Sequence, residues 1–180
     1  MKVIFLTLLL LSNFILISNV HSSSQKDIKT SPQKKSNWKY QSQLVGIDKV
    51  EMKFLTTRSL NSLNLNFPYN GKNYGEITFR NSEKHGIEIL FSIDKGQIQC
   101  GLYVCEGRIK FDNSQSIEFD GDEPSSRSND TIFIRKNDNL IELFKTSKKV
   151  FIQVPLYREG NQILEFNIEG LNLDRLNITK

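Results

Sequence analysis

The segment Gly86-Ile87-Glu88-Ile89-Leu90-Phe91-Ser92-Ile93 sets Ile87, Ile89, Phe91 and Ile93 at every second position. Successive side chains of a strand point to opposite faces, so this spacing describes a strand with one face buried. The same period returns on both sides. Upstream, Ile77 and Phe79 share a face, as do Leu63, Leu65 and Phe67 before the turn Pro68-Tyr69-Asn70-Gly71, and Val50, Met52 and Phe54. Downstream come Ile98 with Cys100, Ile109 with Phe111, Ile117 with Phe119, and Ile132 with Ile134. Val150, Ile152 and Val154 then alternate up to Pro155, and Leu164, Phe166 and Ile168 up to Gly170.

Short strands at this spacing, about nine or ten of them, predict a mainly β fold: an antiparallel β-sandwich or barrel-like domain. One segment departs from the pattern. Between Asp138 and Lys149, residues Leu140, Ile141, Leu143 and Phe144 fall at helical spacing, with Asp138 able to cap and Lys145, Lys148 and Lys149 near the far end. This predicts a short helix over 138–149 that covers one edge or end of the sheet.

The beginning of the chain reads differently. Met1 and Lys2 precede an apolar run from Val3 to Ile17, broken by Thr7, Ser12 and Asn13, and then Ser18-Asn19-Val20-His21-Ser22. Charge, apolar stretch and small residues in that order are expected of a secretory signal peptide, cut after Ser22. An uncleaved anchor is the alternative, although fifteen residues is short for a span that needs about 20. Residues 23–37, rich in Ser, Gln, Lys and Pro, are expected to form a flexible basic linker, and residues 38–180 one β-rich domain opened by Trp38 and Tyr40.

Charge is distributed unevenly. The 180 residues carry 24 Lys and Arg against 20 Asp and Glu. Residues 23–53 hold seven lysines against three acids, whereas residues 54–180 hold sixteen basic against seventeen acidic residues. A basic arm of this kind allows weak contact with an anionic surface. The 38% hydrophobic content is enough for a core and excludes global disorder.

Cys100 and Cys105 enclose Gly101-Leu102-Tyr103-Val104, and both lie in the part expected to be exported, where disulfides persist. A disulfide across a four-residue hairpin loop is expected, contributing about 2 kcal/mol by restricting the unfolded chain. Redox chemistry would favour two intervening residues, and zinc would need two further ligands.

Catalysis finds little support. After cleavage the one histidine is His85, in the polar connector Asn81-Ser82-Glu83-Lys84-His85-Gly86, so any Ser or Cys nucleophile would have to use it as base. The acidic stretch 112–123, with Asp112, Asp120, Asp122 and Glu123, offers oxygen ligands but not the spacing of a calcium loop, and its acids are ordinary turn formers. Phosphate-binding glycine motifs are absent. Neither a metal, a cofactor nor a nucleic-acid partner is expected.

Several strings carry a resemblance: Phe67-Pro68-Tyr69-Asn70-Gly71, Arg80, Gly86, Gly96-Gln97-Ile98-Gln99-Cys100, Cys105, Arg108-Ile109-Lys110-Phe111-Asp112 and Phe166-Asn167-Ile168-Glu169-Gly170-Leu171. They resemble small exported proteins of Gram-negative bacteria, mostly of unassigned function. From about residue 100 to 171, the order of cysteine, Arg-x-x-x-Asp, short strand, helix, a strand ending near Pro155 and Tyr157, and a closing Phe-x-x-x-Gly-Leu is also similar to the VasI (TagO) accessory proteins of type VI secretion. That resemblance implies a periplasmic accessory protein without catalysis, with Arg108 and Asp112 as the matching, candidate binding positions on one strand face. A structural pairing of Arg108 with a carboxylate explains them as well.

The expected function is therefore an exported, non-enzymatic envelope protein, periplasmic or secreted, that binds another envelope protein or polymer. Two rivals stand beside it. One is a secreted hydrolase using His85 or the acidic stretch 112–123. The other is a host-directed effector whose basic arm engages an anionic surface.

Overall fold

The computed structural model describes residues 36–82 and 85–177. The expected leader and all but the last two residues of the expected linker lie outside these. The strands are β1 (Lys39–Val45), β2 (Val50–Arg58), β3 (Leu63–Asn64), β4 (Lys72–Asn73), β5 (Gly75–Ser82), β6 (Gly86–Ile93), β7 (Cys105–Phe111), β8 (Ile117–Asp122), β9 (Thr131–Ile134), β10 (Lys149–Leu156) and β11 (Gly160–Asn167). Helix α1 (Asp138–Thr146) lies between β9 and β10, and a 3-10 turn (Leu173–Leu176) follows β11.

Nine strands form one antiparallel sheet in the order β1-β2-β5-β6-β9-β8-β7-β10-β11, and β3 pairs with β4 apart from it. The joint between β8 and β9 is narrow: only Gly121 with Ile134 and Asp122 with Phe133 are in register there. The apolar faces on either side of that joint close on each other in a sandwich-like arrangement. Phe91 of β6 meets Phe166 of β11 edge-on, with ring centroids 6.3 Å apart. At the far edges the chain after β2 approaches β11: the Leu60 N–H donates to the Glu165 carbonyl at 2.7 Å. The Asn61 amide donates to the Ile163 carbonyl and accepts from the Glu165 N–H. One asparagine thus stands in for a ladder, and the sheet does not close into a barrel.

Helix α1 plugs the space between the two faces. Its Phe144 ring is fully buried, 5.1 Å from Phe79 of β5 and 5.0 Å from Phe111 of β7, both edge-to-face. Trp38 extends the row against Phe79 at 5.6 Å, and its indole N–H donates to the Ile168 carbonyl. Edge-to-face pairs of this kind add about 0.5–1.5 kcal/mol each beyond area burial.

The mainly β, antiparallel architecture with one helix is as the alternation predicts, with local corrections. Asn137, not Asp138, caps α1, its side-chain oxygen accepting from the Leu140 N–H at 2.8 Å. The helix stops at Thr146 rather than Lys149, because Ser147 is extended and Lys149 already pairs with Asn167 in β10. Leu63 and Leu65 are buried but only Leu63–Asn64 is strand. The chain leaves at Asn66, held by the Glu159 carboxylate, and Phe67 faces solvent. Asp120 and Asp122 belong to β8 rather than to a turn. Strand β1, which alternation did not reveal, is exposed along nearly its whole length on both faces.

Ile98 with Cys100 is not a separate strand, nor are the cysteines the base of a hairpin. Ile98 forms one bridge with Leu156 of β10, on the edge that β7 also pairs with and in the same direction as β7. Ten residues separate Ile98 from Arg108 while three separate their partners Leu156 and Gln153, so seven residues are looped out of a single strand line.

Gly107 shows how tightly neighbouring strands pack, since it lies opposite Phe119 of β8 and beside β10. A Cβ there would collide with the Phe119 ring, with Cε1 at 2.6 Å, and would lie 2.9 Å from the Gln153 carbonyl oxygen. Gly107→Ala is therefore expected to destabilise the fold by about 1–3 kcal/mol through overpacking, read as a lower urea midpoint; an unchanged midpoint would refute this packing.

Candidate functional site

Cys100 and Cys105 form a disulfide with Cα atoms 4.1 Å apart. It clasps the foot of the looped-out segment, whose Gly101 N–H donates to the Val104 carbonyl at 2.8 Å. Glu123 is near enough to group with the two sulfurs, but disulfide sulfurs offer no thiolate to a metal.

Arg108 projects from the outer face of β7 and is exposed; its guanidinium donates to the Ser116 hydroxyl at 2.8 Å. Beside it lies a shallow groove of about 310 Å³, with Phe151 and Ile163 as its apolar floor and Lys110, Ser116 and Gln153 at its sides. The Lys110 ammonium sits 5.8 Å from the Phe151 ring centroid, a cation–π contact. Among the described residues no carboxylate lies within ion-pair distance of Arg108 or Lys110, whereas neighbouring Lys149 pairs with Glu165 at 2.7 Å. Two cations without a carboxylate partner among the described residues, set over an apolar floor, can hold an anionic group attached to an apolar or planar one.

Asp112 is placed differently. It lies one residue past the end of β7, at φ 45°, and its carboxylate accepts from the backbone N–H of Lys148 (3.1 Å) and Lys149 (2.8 Å). It therefore ties the turn between α1 and β10 to the end of β7. Arg108 and Asp112 are not brought together on one strand face.

His85 stands in the β5–β6 turn, its backbone N–H bonded to the Ser82 hydroxyl. Its imidazole makes no hydrogen bond to the described residues. The adjoining cleft, about 500 Å³, carries charges that are paired with each other: Arg80 with Glu88 at 2.9 Å and Arg135 with Asp122 at 2.5 Å. Lys136 donates to the His85 and Ile87 carbonyls. The Arg135 hydrogen bonds hold the Asp122 carboxyl below the usual carboxylate range, outweighing slight desolvation, and Asp122 in turn raises Arg135. Asp120 lies 3.6 Å from the same guanidinium. Asp112 thus binds backbone, Asp120 and Asp122 face Arg135, and Glu123 lies beside the disulfide, so these acids do not converge on one point.

Lys110, Ser116, Phe151 and Ile163 were not singled out by sequence reasoning. Strand parity marks Lys110, Phe151 and Ile163 as outward-facing, but only the order β8-β7-β10-β11 brings them side by side.

Together these features define a mainly antiparallel β-domain with one disulfide and a cationic, apolar-floored groove on its outer face. The fold is similar to the crystal structure of invasion associated protein B from Bartonella henselae: 16% identity, a TM-score of 0.51, and coverage of 78% of this chain and 92% of that one. No family model matches the chain, and no curated protein does. The likeness to the VasI (TagO) family thus has no family-model match behind it. No helix among the described residues is long and apolar enough to cross a membrane.

Asp112→Ala is expected to cost about 1–3 kcal/mol, since it leaves backbone donors of the α1–β10 turn without their carboxylate, while Arg108→Ala stays within about 0.5 kcal/mol of the parent. Equal effects on the denaturant midpoint would contradict this division of roles.

Proposed function

We propose that this chain is an exported, non-enzymatic protein of a bacterial envelope, periplasmic or secreted, that binds another envelope protein or polymer through the groove beside Arg108. The observation that carries this reading is the pair of cations, exposed Arg108 and half-buried Lys110, without a carboxylate partner among the described residues and set over Phe151 and Ile163. The leader-like first segment, the disulfide and the order of residues shared with small exported proteins support it. The likeness to the VasI (TagO) accessory proteins is part of the same proposal. The name of the structural neighbour, an invasion associated protein, favours a second reading in which the basic arm of residues 23–37 faces a host surface.

The test is retention on immobilised envelope extract. The charge reversals Arg108→Glu and Lys110→Glu should abolish capture of a defined partner that the parent and His85→Ala both retain. Capture indifferent to both reversals, together with hydrolytic turnover that His85→Ala or Asp122→Ala removes, would replace this reading with the hydrolase. Binding to anionic surfaces that falls steeply with salt and disappears with residues 23–37 would favour the second reading.

A further inference from the structure

The two edges of the large sheet are finished differently. The outer edge of β11 is met by the chain itself, since Leu60 and Asn61 take up the Ile163 carbonyl and both backbone groups of Glu165. The outer edge of β1 is open: among the described residues, β2 supplies all the strand pairing of Lys39–Val45. Unpaired backbone donors and acceptors along such an edge are a template for another strand, and edges are commonly blunted by proline, bulges or inward-pointing charges. Strand β1 has none of these. Its residues pair with β2 without a bulge, it contains no proline, and its one charged residue, Lys39, stands at its first position.

The far half of this hairpin lacks support on its other side as well. Strand β2 pairs with β5 only from Lys53 onward, so residues 43–45 and 50–52 form a ribbon of two strands with no third beside it. Two strands alone are marginally stable in water, and a third restores stability. A strand laid along β1 would supply it.

We propose that the open edge of β1 pairs with β1 of a second copy of this chain, antiparallel about a two-fold axis at Ser42. In that register Ser42 faces its own counterpart, Tyr40 faces Leu44 of the second copy, Gln41 faces its Gln43, and Lys39 faces its Val45. Side chains alternate along a strand, so Tyr40, Ser42 and Leu44 share one face while Gln41 and Gln43 share the other. Aromatic therefore meets aliphatic twice on one face, amide meets amide twice on the other, and no like charges are opposed. Sliding the register by two residues either way sets Tyr40 or Leu44 against Ser42 and shortens the ladder. The edge is complementary to itself in the one register that uses its whole length.

The covered edge of β11 selects the assembly. With Leu60 and Asn61 in place there, β1 finds no open edge of this sheet to meet except another β1, so pairing closes at two copies instead of continuing as a filament. A ladder of seven residues covers less than the roughly 1,200 Å² of a standard stable interface, so the dimer is a weak one in exchange with monomer. This goes beyond the groove at Arg108, which lies on β7, β10 and β11 and takes no part in the pairing; the dimer presents two such grooves.

The experiment is sedimentation equilibrium of the full chain, as the producing cell processes it, over a series reaching about 1 mM so that even weak pairing is populated. The parent should pass from monomer to dimer along the series. Gln41→Lys with Gln43→Lys sets lysine against lysine twice across the axis and should weaken dimerisation roughly tenfold. Gln41→Glu with Gln43→Glu should do the same, and mixing the two variants in equal amounts should restore association, because each lysine then faces a glutamate. Both positions are exposed, and circular dichroism checks that the variants fold as the parent does. Arg108→Glu should leave the association unchanged, which separates this edge from the groove. A parent that stays monomeric throughout the series overturns the proposal. So does association that the two lysines leave intact, whether it arises elsewhere on the surface or disappears on deletion of residues 23–35, which would make that arm the contact.

Discussion

Phe144 touches both faces of the folded sheet, and the rest of the structure depends on that contact. The β8–β9 joint has two residue pairs in register, too few to fix the angle between the strands on either side of it. The angle is set by what fills the interior: Phe79 and Phe111 meet edge-on across Phe144, and Phe91 meets Phe166 further along. A helix of nine residues is marginal in isolation, so α1 exists because its apolar face is buried here. Packing therefore determines the fold's closure, while backbone ladders determine only which strands are neighbours.

That division explains what was legible in the sequence. Alternation in Ile87–Ile93 and Val150–Val154 reports burial of one face directly, and the helical spacing of Leu140, Leu143 and Phe144 reports the plug. Where burial is absent the signal is absent too, as in β1, whose side chains face water on both sides. The helix start was misplaced by one residue because Asn137 and Asp138 are both good caps, and only geometry shows which side chain turns back to the Leu140 N–H. Ile98 and Cys100 kept the right period but misled about topology, since a strand line that loops out and resumes looks like two strands in a hairpin.

The site was less legible than the fold. Arg108 and Asp112 look alike in sequence, two polar residues at even spacing, yet one faces solvent and the other binds backbone amides. Nothing in residue type distinguishes them. The distinction arises because β7 ends at Phe111 and Asp112 turns into a left-handed conformation that aims its carboxylate at the start of β10. Phe151 and Ile163, separated by a turn from each other and lying 43 and 55 residues after Arg108, become neighbours of it only through strand order.

The looped-out segment between Ile98 and Arg108 has a further consequence. The disulfide joins the two points where the chain leaves and rejoins its strand, so the residues between are mechanically isolated from the pairing with β10. Their number and chemistry can vary without shifting any registered pair, which makes this segment a natural display site. A lineage could rewrite what the domain presents at that end, and an engineer could graft a peptide there, with the scaffold beneath left as it is.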